Sequence, residues 1–279
     1  MSLEQVSSIY DHLFAFEKDK GKGGAYPIHK PLDFPLEQKS LGIADISDLV
    51  LAFLPKRRKA HVLDAGCGVG YTLQKICTNP LYSGLGISLS QQELALARAS
   101  VHQSGLSDRC SFKKLDFDQE FDQKFDLILC MESIKHSPDW RKSLGNLLKH
   151  LHADGAILLI EDFYQGNTLN EEEKRFQEVW AVPDLFSYQD VCSYMNERGV
   201  KLEQEKILDE YIRKHRAWKS KLSAQFCKIS TPLFSLLPAK KQLLQIYEGA
   251  LLMDYLYAKS LFSYRLLYFQ APSRRFGNR

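Results

Sequence analysis

The chain is poor in features that would tie it to disulfides, metals or membranes. Its six cysteines (Cys67, Cys77, Cys110, Cys130, Cys192 and Cys227) are scattered and never form Cys-x-x-Cys. That excludes a dithiol redox motif. Several of them lie in apolar, strand-like contexts and read as buried free thiols rather than disulfides or metal ligands. No apolar run is long enough to span a bilayer. Met1 to Tyr10 shows neither the basic nor the apolar region of a signal peptide, so the expected compartment is the cytoplasm. A formal charge of +3 is too small to argue for nucleic acid or a membrane surface. A strongly amphipathic basic helix with exposed aromatics is not evident, which speaks against a lipid-modifying enzyme. There is no internal repeat. Apolar residues make up 44% and charged residues 25% of 279 positions, as in a soluble globular protein of one large or two small domains.

What is present begins with His61-Val62-Leu63-Asp64-Ala65-Gly66-Cys67-Gly68-Val69-Gly70. An apolar strand runs into three glycines at alternate positions, and a helix-like segment, Tyr71 to Cys77, follows at once. Glycine lets the backbone turn sharply and lets a bound nucleotide approach it closely. The dinucleotide fingerprint spaces its last two glycines further apart and lacks the acid at position 64.

Strand and helix signals then alternate, the pattern of a parallel sheet covered by helices. Leu85–Leu89 reads as the second strand. Ser90 and Glu93 form a capping box for a helix striped by Leu94, Ala97 and Val101. Cys110–Phe117 and Phe125–Cys130 read as the third and fourth strands. Ser137-Pro138 opens a helix with proline in its first turn, carried on by Trp140, Leu144, Leu147, Leu148 and Leu151 and ended by Gly155. Ala156–Ile160 is a fifth, nearly all-apolar strand. Capped helix starts follow at Asn170 and Ser187, with a sixth strand over Val200–Leu208. Residues 210–262 read mostly as helix, broken at Thr231-Pro232 and Pro238. Tyr264–Gln270 is a last, aromatic strand before a basic tail.

Asp-x-Gly-x-Gly-x-Gly resembles motif I of the class I S-adenosylmethionine-dependent methyltransferases. The resemblance implies an α/β fold: a doubly wound, Rossmann-like, seven-stranded, mostly parallel sheet with a helical lid. It implies one methyltransferase domain over 1–279, an N-terminal arm (1–40) over the cofactor, and lid insertions at about 163–187 and 210–262. In such a sheet ligands sit beyond the carboxyl ends of the strands. The first strand end supplies Asp64, Gly66, Cys67 and Gly68. The second, Ser88-Leu89-Ser90, carries no acid and resembles the natural-product, tocopherol and cyclopropane-fatty-acid-synthase-like subgroup, whose ribose contact comes from the following helix, here Gln92 or Glu93. For Glu93 the capping role is the competing reading. At the third, Asp116-Phe117 would meet the adenine amino group and ring, or Asp116 simply makes a turn with Asp118.

The fourth strand end, Met131-Glu132-Ser133-Ile134-Lys135-His136-Ser137-Pro138-Asp139, looks like the Glu-Ser-x-x-His-x-x-Asp segment of that subgroup. His136 matches the second of two histidine positions, the first being Lys135 here. The resemblance implies His136 as general base toward a hydroxyl, with Asp162 as its partner acid. Glu132 is the base if carbon is methylated instead. Imidazole suits proton removal because it titrates near neutrality. Met131 would border the cofactor, and Tyr10 or Tyr26 from the arm would lie near its methyl group. Trp180, Phe186 and Tyr188 would line the acceptor pocket, against a plain core role. The basic cluster at 213–221 reads as a solvated face or a phosphate contact. The expected function is methylation of a small molecule, most readily at oxygen, by a monomer or homodimer without metal or nucleic acid. Carbon methylation and a non-catalytic cofactor-binding subunit are the alternatives.

Overall fold

The computed structural model describes Lys30 and residues 32–56, 58–212, 216–234 and 237–272. Two short helices, α1 (Leu36–Ser40) and α2 (Ile46–Leu51), precede the first strand. Asp45 and Asp48 close a capping box on α2. The sheet then builds through β1 (Ala60–Ala65), α3 (Tyr71–Cys77), β2 (Tyr82–Ser88), α4 (Gln91–Gln103), β3 (Cys110–Lys114) and β4 (Phe125–Met131). It continues through α5 (Trp140–Lys149), β5 (Leu151–Tyr164), α6 (Glu171–Trp180), α7 (Tyr188–Glu197) and β6 (Lys201–Ile207). Two further helices, α8 (Ala217–Ser230) and α9 (Pro238–Ala258), lead to β7 (Phe262–Gln270).

The seven strands lie in the order β3-β2-β1-β4-β5-β7-β6. All neighbours from β3 to β5 run parallel, and β7 is antiparallel to both β5 and β6. The expected fold class is therefore the observed one. After β1 the chain winds outward through β2 and β3, then crosses back to place β4 on the other side. The switch point lies at the carboxyl ends of β1 and β4, where doubly wound sheets bind ligands. Central strands buried on both faces read as unbroken apolar runs, which is why Leu127, Ile128, Leu129 and Ile157 to Ile160 are almost fully buried. Their alternate side chains feed two separate cores, one per face. A third core joins α6, α8 and α9 to Tyr164 and Phe262 at the sheet margin.

Several boundaries differ from the sequence expectation for local reasons. Helix α5 starts at Trp140 rather than Pro138, because the Asp139 carboxylate accepts the Lys142 N–H and makes Asp139 the cap. Strand β3 ends at Lys114, three residues early, where Asp116 turns back to accept the Asp118 N–H at 2.7 Å. Strand β5 begins at Leu151 and includes Gly155, expected to end a helix, with a break in its register on β4 between Leu151 and Ala156. There β5 crowds β4, and a Cβ on Gly155 would stand 3.0 Å from the Phe125 carbonyl oxygen.

Candidate active site at the strand ends

Asp64 occupies the penultimate position of β1, paired on both sides by β2 and β4. Its side chain is 1% exposed, and among the described residues neither carboxylate oxygen has a hydrogen-bond partner. Burial pushes its pKa up to about 7. A carboxylate left unsatisfied in the interior costs free energy unless something absent from the chain completes it.

Directly beyond it, Gly66, Gly68 and Gly70 all take left-handed φ values of +91°, +51° and +73°. Gly66 also has no room for a side chain: a Cβ there would stand 2.4 Å from Ser133 Cβ. Ser133, from the loop after β4, donates its hydroxyl to the Ala65 carbonyl at 2.7 Å. The two loops at the switch point are thus stitched together. The Gly66 and Cys67 N–H groups both donate to Ile87 on β2, and burial raises the Cys67 thiol well above its usual pKa.

At the second strand end, Ser90 caps α4 by accepting the Glu93 N–H. The buried Glu93 carboxylate accepts the Ser88 hydroxyl at 3.0 Å and lies 3.7 Å from where a Gly68 Cβ would be. Ser88 and Glu93 therefore flank the glycine loop, whereas Gln92 is exposed on the first turn of α4. Asp116 is half-buried and engaged in its own turn, and Phe117 packs on one face of the sheet. Met131 is buried at the end of β4.

The loop after β4 lies in a cluster of buried charges. Glu132 holds a left-handed φ of +49°, unusual outside glycine. Its carboxylate accepts the Tyr264 hydroxyl at 2.7 Å and the Lys30 N–H at 2.9 Å. The Lys135 ammonium is buried within 2.7 Å of Asp162 and 2.9 Å of Glu161, and 4.0 Å from Glu132. Asp162 also pairs with Lys30 at 3.0 Å and accepts the Tyr257 hydroxyl from α9. Burial alone would raise the Asp162 pKa, but Lys135 and Lys30 outweigh it and hold the carboxyl below its ordinary value. Glu161 is pushed the other way by burial, to about 7.

His136 is buried, and its Nδ1–H donates to the Ala181 carbonyl at 2.9 Å. Burial, aided by the Lys135 charge, lowers its pKa to about 4. The imidazole is therefore neutral, with Nε2 as its proton-accepting nitrogen. The expected hydrogen bond between His136 and Asp162 is replaced. Lys135, at the first histidine position of the motif, takes the aspartate, and the histidine turns to Ala181 beyond α6.

Phe186 lines a cavity with room for about one water, together with Lys135, Asp162, Phe176, Val182 and Phe262. The other two expected pocket residues sit elsewhere. Trp180 stacks on Phe176 and covers Gly249, tying α6 to α9. Tyr188 donates its hydroxyl to Glu205 on β6, with the Arg265 guanidinium over its ring. Tyr10 and Tyr26 lie outside the described residues. Lys30, Glu161, Tyr257 and Tyr264 complete the site without having been singled out. Only the aromatic run of the last strand pointed toward one of them.

A family model described as a methyltransferase domain matches residues 39–205. A probable tocopherol O-methyltransferase of the chloroplast from Oryza sativa subsp. japonica is 28% identical over 192 residues, covering 64% of this chain and 51% of its own length. The chain thus spans about half the length of that relative. Among solved structures, the [4+2]-cyclase SpnF superposes with a TM-score of 0.73 at 18% identity, covering 97% of this chain and 96% of its own. An O-methyltransferase from a trans-AT PKS multienzyme of Brevibacillus brevis, in complex with S-adenosyl-L-homocysteine, superposes with a TM-score of 0.67 at 17% identity, covering 88% and 84%.

Proposed function

The chain belongs to the methyltransferase-domain family, and from that premise we propose that it transfers a methyl group from S-adenosylmethionine to the oxygen of a small acceptor. The observation that carries this reading is Asp64, a buried carboxylate with neither oxygen hydrogen-bonded among the described residues, above a loop of left-handed glycines at the switch point. These residues fit the cofactor. Asp64 would take its ammonium group, Gly66 and Gly68 would let its chain pass against the backbone, and Ser88 with Glu93 would meet the ribose. When bound, the cofactor supplies an electrophilic methyl group on a sulfonium.

The chain's own contribution is placement and proton removal. Neutral His136 accepts the acceptor's hydroxyl proton on Nε2, its ring fixed by the Ala181 carbonyl. Asp162 acts through Lys135, keeping the ammonium buried beside Phe176 and Phe186 in the acceptor pocket. The lid over that pocket comprises residues of the 163–187 and 210–262 segments, and the free thiols fit a reducing compartment such as the cytoplasm. A second reading, methylation at carbon with Glu132 as base, is favoured by the strained placement of Glu132 beside Tyr264.

Calorimetry with S-adenosylmethionine tests the cofactor assignment: no binding refutes it. With an acceptor in hand, loss of turnover in His136→Ala but not in Glu132→Gln supports methylation at oxygen. The reverse result selects carbon.

A further inference from the structure

Helix α8 is amphipathic in the wrong sense for a lid helix. The residues it turns inward are small: Ser220, Ala224 and Cys227 are buried against the lid. The residues it turns outward are large and apolar: Trp218 is 61% exposed, Leu222 60%, Phe226 71% and Ile229 75%. At 3.6 residues per turn these four share an arc of about 80°. Leu233, 82% exposed, follows in the next turn.

Basic side chains flank the stripe on both sides, with exposed Lys219 at one margin and exposed Lys228 at the other. Exposed Arg216 precedes it, and exposed Lys240 and Lys241 follow at the start of α9. The sequence around them is unusual. Residues 211–247 hold eight of the chain's 37 basic side chains and none of its 34 acidic ones. The remainder carries 29 basic against 34 acidic side chains, so the small overall charge conceals a strongly polarised molecule.

We propose that the outer face of α8 docks on an anionic lipid bilayer, lying in the plane of its headgroups. An apolar stripe with tryptophan and phenylalanine, bordered by lysines, is the pattern of an interfacial helix. A second copy of the chain fits poorly, since joining two such faces would bring together two basic segments without an acid between them. No strongly amphipathic basic helix with exposed aromatics is evident in the sequence; in the fold, Trp218 and Phe226 stand exposed on α8 beside lysines. Spacing alone could not tell that the large apolar side chains point outward. No helix among the described residues is long and apolar enough to cross a membrane, so the contact is peripheral. Ala224 shares the lid core with Phe176 and Phe262, which line the acceptor cavity, so the docked face is the outer surface of the roof over that cavity. This proposal does not depend on methyl transfer.

Flotation of the full chain with vesicles decides it. The chain should float with phosphatidylcholine vesicles containing about one part in four phosphatidylglycerol, remain behind with phosphatidylcholine alone, and be released as ionic strength rises to about 0.5 M. Trp218→Gln with Phe226→Gln should abolish flotation without changing the melting temperature. Lys219→Gln with Lys228→Gln should weaken it about thirtyfold. If the paired apolar variant melts early, the salt and lipid dependence of the unaltered chain carries the same test. Absence of flotation with the phosphatidylglycerol-containing vesicles overturns the proposal. So does a dimer, found by sedimentation equilibrium, that Trp218→Gln with Phe226→Gln dissociates.

Discussion

Replacing Asp64 by asparagine should flatten part of the apo protein's dependence on pH. An unfolded aspartate titrates near 3.8, whereas burial raises Asp64 in the fold to about 7. Between those values the folded state binds a proton that the unfolded state does not, so stability falls as pH rises through the window. Each pH unit is worth about 1.4 kcal/mol. From pH 5 to pH 7 the apo protein should therefore lose about 2 kcal/mol that Asp64→Asn does not lose, the slope flattening as pH nears the folded pKa. Other groups shift as well, notably Glu161 and His136. They are common to both proteins and cancel in the difference. Urea denaturation at several pH values supplies the comparison, with the linear slopes checked for constancy. Cofactor binding should show the opposite sign, since only the ionised carboxylate pairs with an ammonium. Affinity for S-adenosylmethionine should rise about fifteenfold between pH 5.5 and 7, and Asp64→Asn should be weak and flat. Parallel stability curves for the two proteins would show that the carboxylate is satisfied within the fold, and the cofactor argument would lose its foundation.

His136 should produce a slope of opposite sense. Its folded pKa of about 4 lies below the ordinary 6.5, so its contribution is present at neutral pH and lost as pH falls from 6.5 toward 4. That loss amounts to about 3 kcal/mol, and His136→Gln should resist acid correspondingly better in the same denaturation series. Gly66→Ala combines a left-handed φ with a Cβ 2.4 Å from Ser133 Cβ, and should cost about 3 kcal/mol and abolish cofactor binding by calorimetry. Arg175 makes a bidentate pair with Glu248, whose side chain is 1% exposed, joining α6 to α9. Arg175→Ala should cost about 3 kcal/mol by leaving that carboxylate alone, and Arg175→Leu with Glu248→Leu should recover most of it in thermal melts.

The strands and the glycine loop were legible because their information is local. Apolar runs ending in Asp64-Ala65-Gly66 state both a strand and its turn, and Ser90, Asn170 and Ser187 mark helix starts by their own side chains. The charge network was not legible in the same way. Lys135 meets Asp162 across 27 residues, Glu132 meets Tyr264 across 132, and Lys30 meets both acids from before the first strand. No spacing rule predicts pairs that only the sheet order brings together. Lys135 stood out as a departure from the motif, yet its consequence, the capture of Asp162 from His136, needed the fold. The partners of Trp180 and Tyr188 were illegible for a related reason: aromatic character marks burial, but not which surface receives it.

The insertion of β7 between β5 and β6 has a consequence for how the protein is made. Both neighbours precede β7 in the chain, so until Phe262–Gln270 arrives they present open edges toward one another. The same strand delivers Tyr264 to Glu132. A chain halted before residue 262 therefore lacks more than a strand. Its two unpaired edges invite association with other chains, and its active-site loop is incomplete. Assembly of the sheet and completion of the site are a single late event.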